Sequence, residues 1–177
     1  MIEIAAYDPE WAREFAEISA VLAHRLGPLA DRIEHVGSTA VPGLAAKPIL
    51  DIDIVIDLQT DLTETIVALH ELGYRHRGDQ GIEGREAFKR TGNDVPRGDS
   101  RREWQQHHLY VCSKDSRELA RHLAFRNYLR LHTDRAVAYG ELKQRLAVQF
   151  AASREEYNDA KTDFVISVLR QAAPDLV

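Results

Sequence analysis

A single cysteine, Cys112, stands among the 177 residues of the chain. One thiol excludes an intrachain disulfide and a cysteine-built zinc cage. Long hydrophobic runs are missing as well. None approaches the ~20 apolar residues of a membrane span, so no membrane partner is expected. The first residues, Met-Ile-Glu-Ile-Ala-Ala-Tyr-Asp-Pro, have neither a basic start nor a long apolar stretch. No secretory signal is therefore expected, and the cytoplasm is the expected compartment. Positive charge is in short supply: 23 Lys and Arg against 28 Asp and Glu leave a net charge of −5. That balance argues against a general nucleic-acid binder. Repeats and low-complexity segments are absent. What remains, 44% hydrophobic and 29% charged, is the composition of an ordinary globular domain with length enough for one core. The basic residues are unevenly placed. Arg97, Arg101 and Arg102 cluster, and Arg117, Arg121, Arg126, Arg130 and Arg135 recur later, which leaves room for a local anion site.

Asp8-Pro9-Glu10 opens a helix with Trp11, Phe15, Ile18, Val21 and Leu22 at helical period, and Gly27-Pro28 ends it. Arg32 to Val36 reads as a short strand. Gly37 to Pro48 reads as a loop with a short helix, and Asp51 to Leu58 as the next strand. Asp61 to Leu72 is a helix stopped by Gly73. Tyr74 to Arg77, Glu86 to Arg90 and Gln106 to Cys112 are further strands. The Gly-, Asn-, Asp-, Pro- and Arg-rich stretch from Thr91 to Glu103 is a loop, either near function or simply exposed. Helices then dominate, over about 116–131, 134–150 and 153–172; the last opens on a capping box, Ser153 to Glu156. Strands first and helices last indicate an α+β fold in a single domain over residues 1–177, a small mixed sheet with helices packed on it and a helical C-terminal portion.

The most informative stretch runs from Val36 to Ile54. Gly37-Ser38 is followed, after a gap, by Asp51 and Asp53 within Asp-Ile-Asp-Ile-Val-Ile. Residues two apart on a strand share a face, so the two carboxylates project together while Ile52, Ile54 and Ile56 pack on the other side. Paired carboxylates repel unless a cation lies between them, and oxygen ligands suit Mg²⁺. A divalent ion on such a pair is a common device for moving phosphoryl or nucleotidyl groups. Gly permits close backbone approach, and Ser beside free N–H groups at a helix start suits a phosphate.

Each of these residues also has a plainer reading. Asp51 and Asp53 could lie on a solvated face, Gly37-Ser38 could be only a tight turn, and Lys47 a solvated loop lysine rather than a phosphate contact. His107 and His108 face opposite ways on a strand, so they do not jointly hold one ion. His108 shares a face with Gln106 and Tyr110 and is read as facing the site. The later arginines are read as a solvated helix face whose stems cover apolar surface. Tyr157 and Lys161, four apart, share a helix face. Trp11 and Trp104 are read as packing residues.

The stretch Glu34-His-Val-Gly-Ser-Thr-Ala-Val-Pro-Gly-Leu-Ala-Ala-Lys-Pro-Ile-Leu-Asp-Ile resembles the signature of the GrpB family, as do Arg121-His-Leu-Ala-Phe-Arg-Asn-Tyr-Leu-Arg and Tyr157-Asn-Asp-Ala-Lys-Thr-Asp-Phe. The resemblance implies a fold similar to the DNA polymerase β-like nucleotidyltransferases. It implies that Gly37 and Ser38 hold a nucleoside triphosphate and that Asp51 and Asp53 bind Mg²⁺ (or Mn²⁺). Some relatives are fused to dephospho-coenzyme A kinase. Active nucleotidyltransferases usually carry a third carboxylate on a later strand, yet Gln106 to Cys112 has no acid. Tyr110 stands where the family commonly has His, and Asn127 where it usually has Asp. The expectation is a Mg²⁺-dependent nucleotidyltransferase acting on a small-molecule acceptor. Asp51, Asp53 and His108 would be catalytic, His108 as a base in place of the third acid. Lys47 would contact a phosphate, and Arg85, Arg126 and Lys161 would bind substrate. The alternative is a non-catalytic nucleotide- or coenzyme A-binding accessory module.

Overall fold

The fold is a computed structural model that describes residues 2–57, 62–98 and 102–177. Leu58, Asp61 and Arg101, named above in a strand end, a helix start and a basic cluster, lie outside the described residues. Strand β2 (Leu50–Ile56) organises the rest. Its β-branched residues favour an extended chain, and the alternation gives it one apolar and one acidic face. Ile52, Ile54 and Ile56 are buried against helix α1 (Glu10–Leu26) through Ile18, Leu22 and Leu26, and against helix α2 (Leu62–Glu71) through Ala68 and Leu69. Each such side chain contributes roughly 1.5–3 kcal/mol on burial. Trp11 and Trp104 belong to the same core.

The other strands are β1 (Arg32–Val36), β3 (Tyr74–His76), β4 (Arg85–Arg90) and β5 (His107–Ser113). The sheet order is β1-β2-β5-β4-β3. Only β2 and β5 are parallel; the other three pairs are antiparallel. The register sets Asp51 beside His108 and Asp53 beside Tyr110. The loop after β4 is anchored: Val95 is buried and the Trp104 indole donates to the Pro96 carbonyl at 2.8 Å.

Four helices follow: α3 (Arg117–Leu131), α4 (Thr133–Gln149), α5 (Arg154–Asp159) and α6 (Thr162–Ala172). The expected single helix over 153–172 is therefore two. The junction Asn158-Asp-Ala-Lys-Thr162 combines side chains that compete for backbone hydrogen bonds with a β-branched threonine, and the helix breaks there. Its start is as expected, Ser153 Oγ accepting from the Glu156 N–H at 3.2 Å. Helix α3 covers the acidic face of the sheet through Leu119, which packs on Val55 and Cys112. Helices α3, α4 and α6 form a second core around Phe125, Leu129, Tyr139 and Val168, closed by Val41 and Leu44. No helix among the described residues is long and apolar enough to cross a membrane.

The arginines of the helical half form the expected solvated face only in part: Arg117 and Arg130 are exposed, Arg121 and Arg135 half-buried and Arg126 buried. Arg117 and Arg121 donate to the carbonyls of Val177 and Leu176, and Arg130 to that of Ala40. Arg135 reaches Ser167 Oγ at 2.8 Å. On the other side of the molecule, Arg97 pairs with Asp94, and Arg102 with Glu14 and Glu17. These guanidinium groups tie segments together rather than collecting around an anion.

Candidate functional site

The acidic face of β2 meets the Gly37 turn, strand β5 and helices α3, α4 and α5. Gly37 has φ +70°, and a Cβ there would collide with the Asp51 carboxylate. The glycine is therefore required first by its contact with Asp51, a reason different from the phosphate approach expected. The helix after it is a single 3₁₀ turn, Ser38–Ala40. Its dipole is correspondingly short, so the phosphate-cradling helix start expected at Ser38 is reduced to one turn of N–H groups.

Asp51 Oδ1 lies 3.0 Å from His108 Nδ1. Asp53 is fully buried, and its Oδ2 lies 2.7 Å from His122 Nδ1 on α3. The other nitrogen of His122 is 3.3 Å from Glu118 Oε1. Burial pulls the His122 pKa down, but hydrogen bonds and charge from Asp53 and Glu118 outweigh it and raise the value to about 9. An imidazolium thus balances Asp53 at neutral pH. Asp53 Oδ1 is buried without a hydrogen-bond partner.

A cavity of about 300 Å³ opens beside Asp51 and is lined by Ser38, Lys47, Lys143, Arg154, Tyr157 and Lys161, with His108 and Tyr110 on its wall. Lys143, on α4, is 3% exposed, and its Nζ has no hydrogen-bond partner. Burial, then the neighbouring Lys161, lower its pKa to about 7. Burial and Lys47 lower that of Lys161 to about 8, and burial and Arg154 lower that of Lys47. The Lys47 and Lys161 ammonium groups sit 4.2 and 4.4 Å from the Tyr157 ring centre, one partial compensation for crowding like charges. Four cations around one carboxylate make a concave, electron-poor site that suits a polyanion.

The structure thus gathers Ser38, Lys47, Asp51, His108 and Lys161 around one cavity, with Gly37 against Asp51 and Asp53 behind it. It does not bring Arg126 there. That side chain is buried and donates to Glu34 Oε2 at 2.7 Å and the His35 carbonyl at 2.8 Å, fastening α3 to β1. Arg85 stands on the same sheet face but beyond Tyr110, its guanidinium 4.5 Å from that ring and 4.0 Å from Glu118. His107 faces the opposite side, where its Nε2 lies 2.7 Å from the Tyr74 hydroxyl.

Sequence reasoning missed His122, Glu118, Lys143 and Arg154. Two of them carried a signal. Glu118 and His122 are four apart, so a helix shows them together. Lys143 falls within the buried stripe of Tyr139, Gly140, Leu146 and Ala147, where a lysine is out of place.

The profile described as GrpB protein matches residues 1–171. The chain belongs to the GrpB family. It is 33% identical to the UPF0157 protein YqkA of Bacillus subtilis over 93% of its own length, and spans 45% of that protein. It is 34% identical to the UPF0157 protein BH1888 of Halalkalibacterium halodurans over 97% of its length, spanning 82% of that relative. A crystal structure of conserved protein GrpB from Enterococcus faecalis superposes with a TM-score of 0.82 at 30% identity, covering 98% of each chain. The α+β architecture expected of a GrpB protein is the one found here.

The GrpB residues fit the divalent cation expected at Asp51 and Asp53. Both carboxylates share the sheet face, and the orphaned Asp53 Oδ1 is an oxygen donor without a hydrogen bond. Among the described residues no group of three or more His, Cys, Asp or Glu forms a cage. Two carboxylates completed by water and substrate phosphates is the usual arrangement for Mg²⁺.

Proposed function

We propose that this GrpB protein binds a nucleoside triphosphate and transfers its nucleotidyl group to a small-molecule acceptor. The observation that carries the reading is Lys143: a buried lysine whose Nζ has no hydrogen-bond partner and only the Tyr139 ring at 4.6 Å, placed with Lys47, Lys161 and Arg154 around Asp51. An unpaired buried charge is costly, and a bound polyphosphate would compensate it. Ser38 and the Gly37 turn would close the cradle from the other side. Mg²⁺ or Mn²⁺ held by Asp51 and Asp53 would supply Lewis-acid polarisation of the phosphoryl oxygens.

The protein's own groups do the rest. The Asp51 carboxylate accepts a hydrogen bond from His108 Nδ1–H, which fixes the tautomer and leaves Nε2 as the acceptor. A hydroxyl held at Nε2 would lose its proton there. His122 and Glu118 brace Asp53 so that its free oxygen keeps its direction. Strand β5 carries no carboxylate at His108 or Tyr110, an observation that favours the second reading, a non-catalytic nucleotide- or coenzyme A-binding module.

Calorimetric titration of nucleoside triphosphates and coenzyme A precursors, with and without Mg²⁺, separates the two. Metal-dependent triphosphate binding, lost in Lys143→Met, supports the transferase. Metal-independent binding of a coenzyme A precursor supports the module. Triphosphate binding that is absent, or unchanged in Lys143→Met, refutes the proposal.

A further inference from the structure

A second cavity, of about 540 Å³, lies on the far side of His108 and Tyr110. The same two side chains line the lysine cavity, so they form a wall common to both. The second cavity is built from β4, β5, the segment between β3 and β4, and the loop after β4. Ala87, beside Tyr110 in the sheet, gives it a small apolar floor, and Asn93 and Gln106 supply amides.

Its charge is unusual for this protein. The chain carries −5 overall, yet no Asp or Glu lines this cavity while Arg77, Lys89 and Arg90 do. Arg90 is already used: its guanidinium donates to the carbonyls of Asn93, Gln105 and Trp104. Arg77 and Lys89 form no ion pair among the described residues, unlike Arg97 and Arg102 in the adjoining loop. Two uncommitted cations at the mouth of an acid-free cavity select an anion.

We propose that this cavity is the acceptor site, and that its occupant is a small molecule bearing a free hydroxyl and a phosphate or carboxylate held by Arg77 and Lys89. The direction of the chemistry rests on the nucleotidyl-transfer reading; the anion selectivity does not. With polyphosphate on one side of the wall and the acceptor on the other, the reaction crosses it at His108. The acceptor hydroxyl oxygen forms a bond to the α-phosphorus. The bond from that phosphorus to the diphosphate oxygen breaks, and diphosphate leaves. The hydroxyl proton passes to His108 Nε2, the ring nitrogen turned away from Asp51.

The test is amide chemical-shift mapping on the full chain, with glycerol 3-phosphate, glycerate and glycerol as probes, and tripolyphosphate as the probe of the lysine cavity. Glycerol 3-phosphate or glycerate should saturably shift Ala87, Thr91, Asn93 and Gln106, and the tighter of the two identifies the anion. Glycerol should not. Arg77→Ala with Lys89→Ala, both exposed, should weaken that binding at least ~10-fold while leaving the tripolyphosphate shifts at Ser38 and Lys47 in place. Binding of glycerol as tight as that of the anions overturns the proposal. So do anion shifts confined to the lysine cavity, the absence of saturable shifts, or indifference to the double substitution. Failure of the nucleotide reading would be seen separately, as missing tripolyphosphate shifts.

Discussion

Lys143→Met should make the protein more stable and its polyanion binding worse. Methionine is unbranched and near lysine in length, so it fills the same channel without the charge. The lysine pKa falls from an ordinary value near 10.4 to about 7. At about 1.36 kcal/mol per pH unit, that depression sets a ceiling of roughly 5 kcal/mol on the cost of keeping Lys143 charged in the fold. Local relaxation and water entry lower such penalties, so a gain of about 2–3 kcal/mol is expected from the substitution. For a chain of this size that is a rise of roughly 4–12 °C in Tm. The sign with pH follows from proton counts. Between about 7 and about 10.4 the unfolded chain holds the lysine proton and the native protein does not, so the wild type gains stability as pH rises. The penalty is complete below about pH 7. The advantage of Lys143→Met should therefore be largest near pH 6 and shrink by about half near pH 9. Calorimetric melts of both proteins at the two pH values, with and without tripolyphosphate, make the measurement. Tripolyphosphate should raise the Tm of the wild type and hardly move that of the variant. A variant less stable than wild type near pH 6, or an advantage that grows with pH, would refute the reasoning. Equal stabilisation of both proteins by tripolyphosphate would separate the lysine from the ligand.

Other substitutions distinguish the roles of the neighbouring groups. Asp51→Asn should abolish Mn²⁺ binding measured with nucleotide present and lower stability, since it removes the one carboxylate among the cations of the lysine cavity. Asp53→Asn should also lose the metal but cost about 1.5–3 kcal/mol in chemical denaturation, because it removes one of the two carboxylates that hold the His122 imidazolium, Glu118 being the other; metal binding equal to wild type in both variants would sink the metal role. Ser38→Ala should weaken triphosphate binding by about 1.5–3 kcal/mol if its hydroxyl meets a charged oxygen, and unchanged affinity by calorimetry would remove it from the cradle. His108→Ala should leave nucleotide affinity intact and lower turnover at least ~100-fold in a transfer assay; an active protein indifferent to the change would end its role as base.

The strand pattern made half of the site legible. Ile52, Ile54 and Ile56 announced which way β2 faces, and with that the shared direction of Asp51 and Asp53 followed. The same alternation separated His107 from His108, and the structure turns the first to Tyr74 and the second to Asp51. Helical contributions were harder to read because they depend on which helix lies over which face. Nothing local says that α3 crosses the acidic side of the sheet, so the partner of Asp53 could not be named. The split between α5 and α6 was likewise hidden under a continuous capping-to-apolar pattern. Tyr157 and Lys161 meet nonetheless, since Lys161 sits at the break and turns back over the ring. Lys143 was legible in principle, as a charge in an apolar stripe, but a stripe marks burial and not what the buried group points into.

Matched and unmatched charge divides this molecule into scaffold and site. Arginine, with its rigid fork of donors, is used where segments must be tied, and Arg102, Arg121, Arg126, Arg130 and Arg135 all end on carboxylates, carbonyls or a hydroxyl. Those interactions are complete within the chain, so removing one leaves a local defect and nothing else. The three lysines of the first cavity, by contrast, form no ion pair among the described residues. Lys47, Lys143 and Lys161 crowd together and depress one another's proton affinity, and only aromatic faces compensate them. A fold selected for stability alone would have placed methionine or leucine at Lys143. Lys143 has only the Tyr139 face as a partner at that depth, and the polyanion proposed above would supply the missing negative charge. Asp51 is the single carboxylate on the cavity wall, and its charge offsets the mutual repulsion of Lys143 and Lys161 whether or not a ligand is bound.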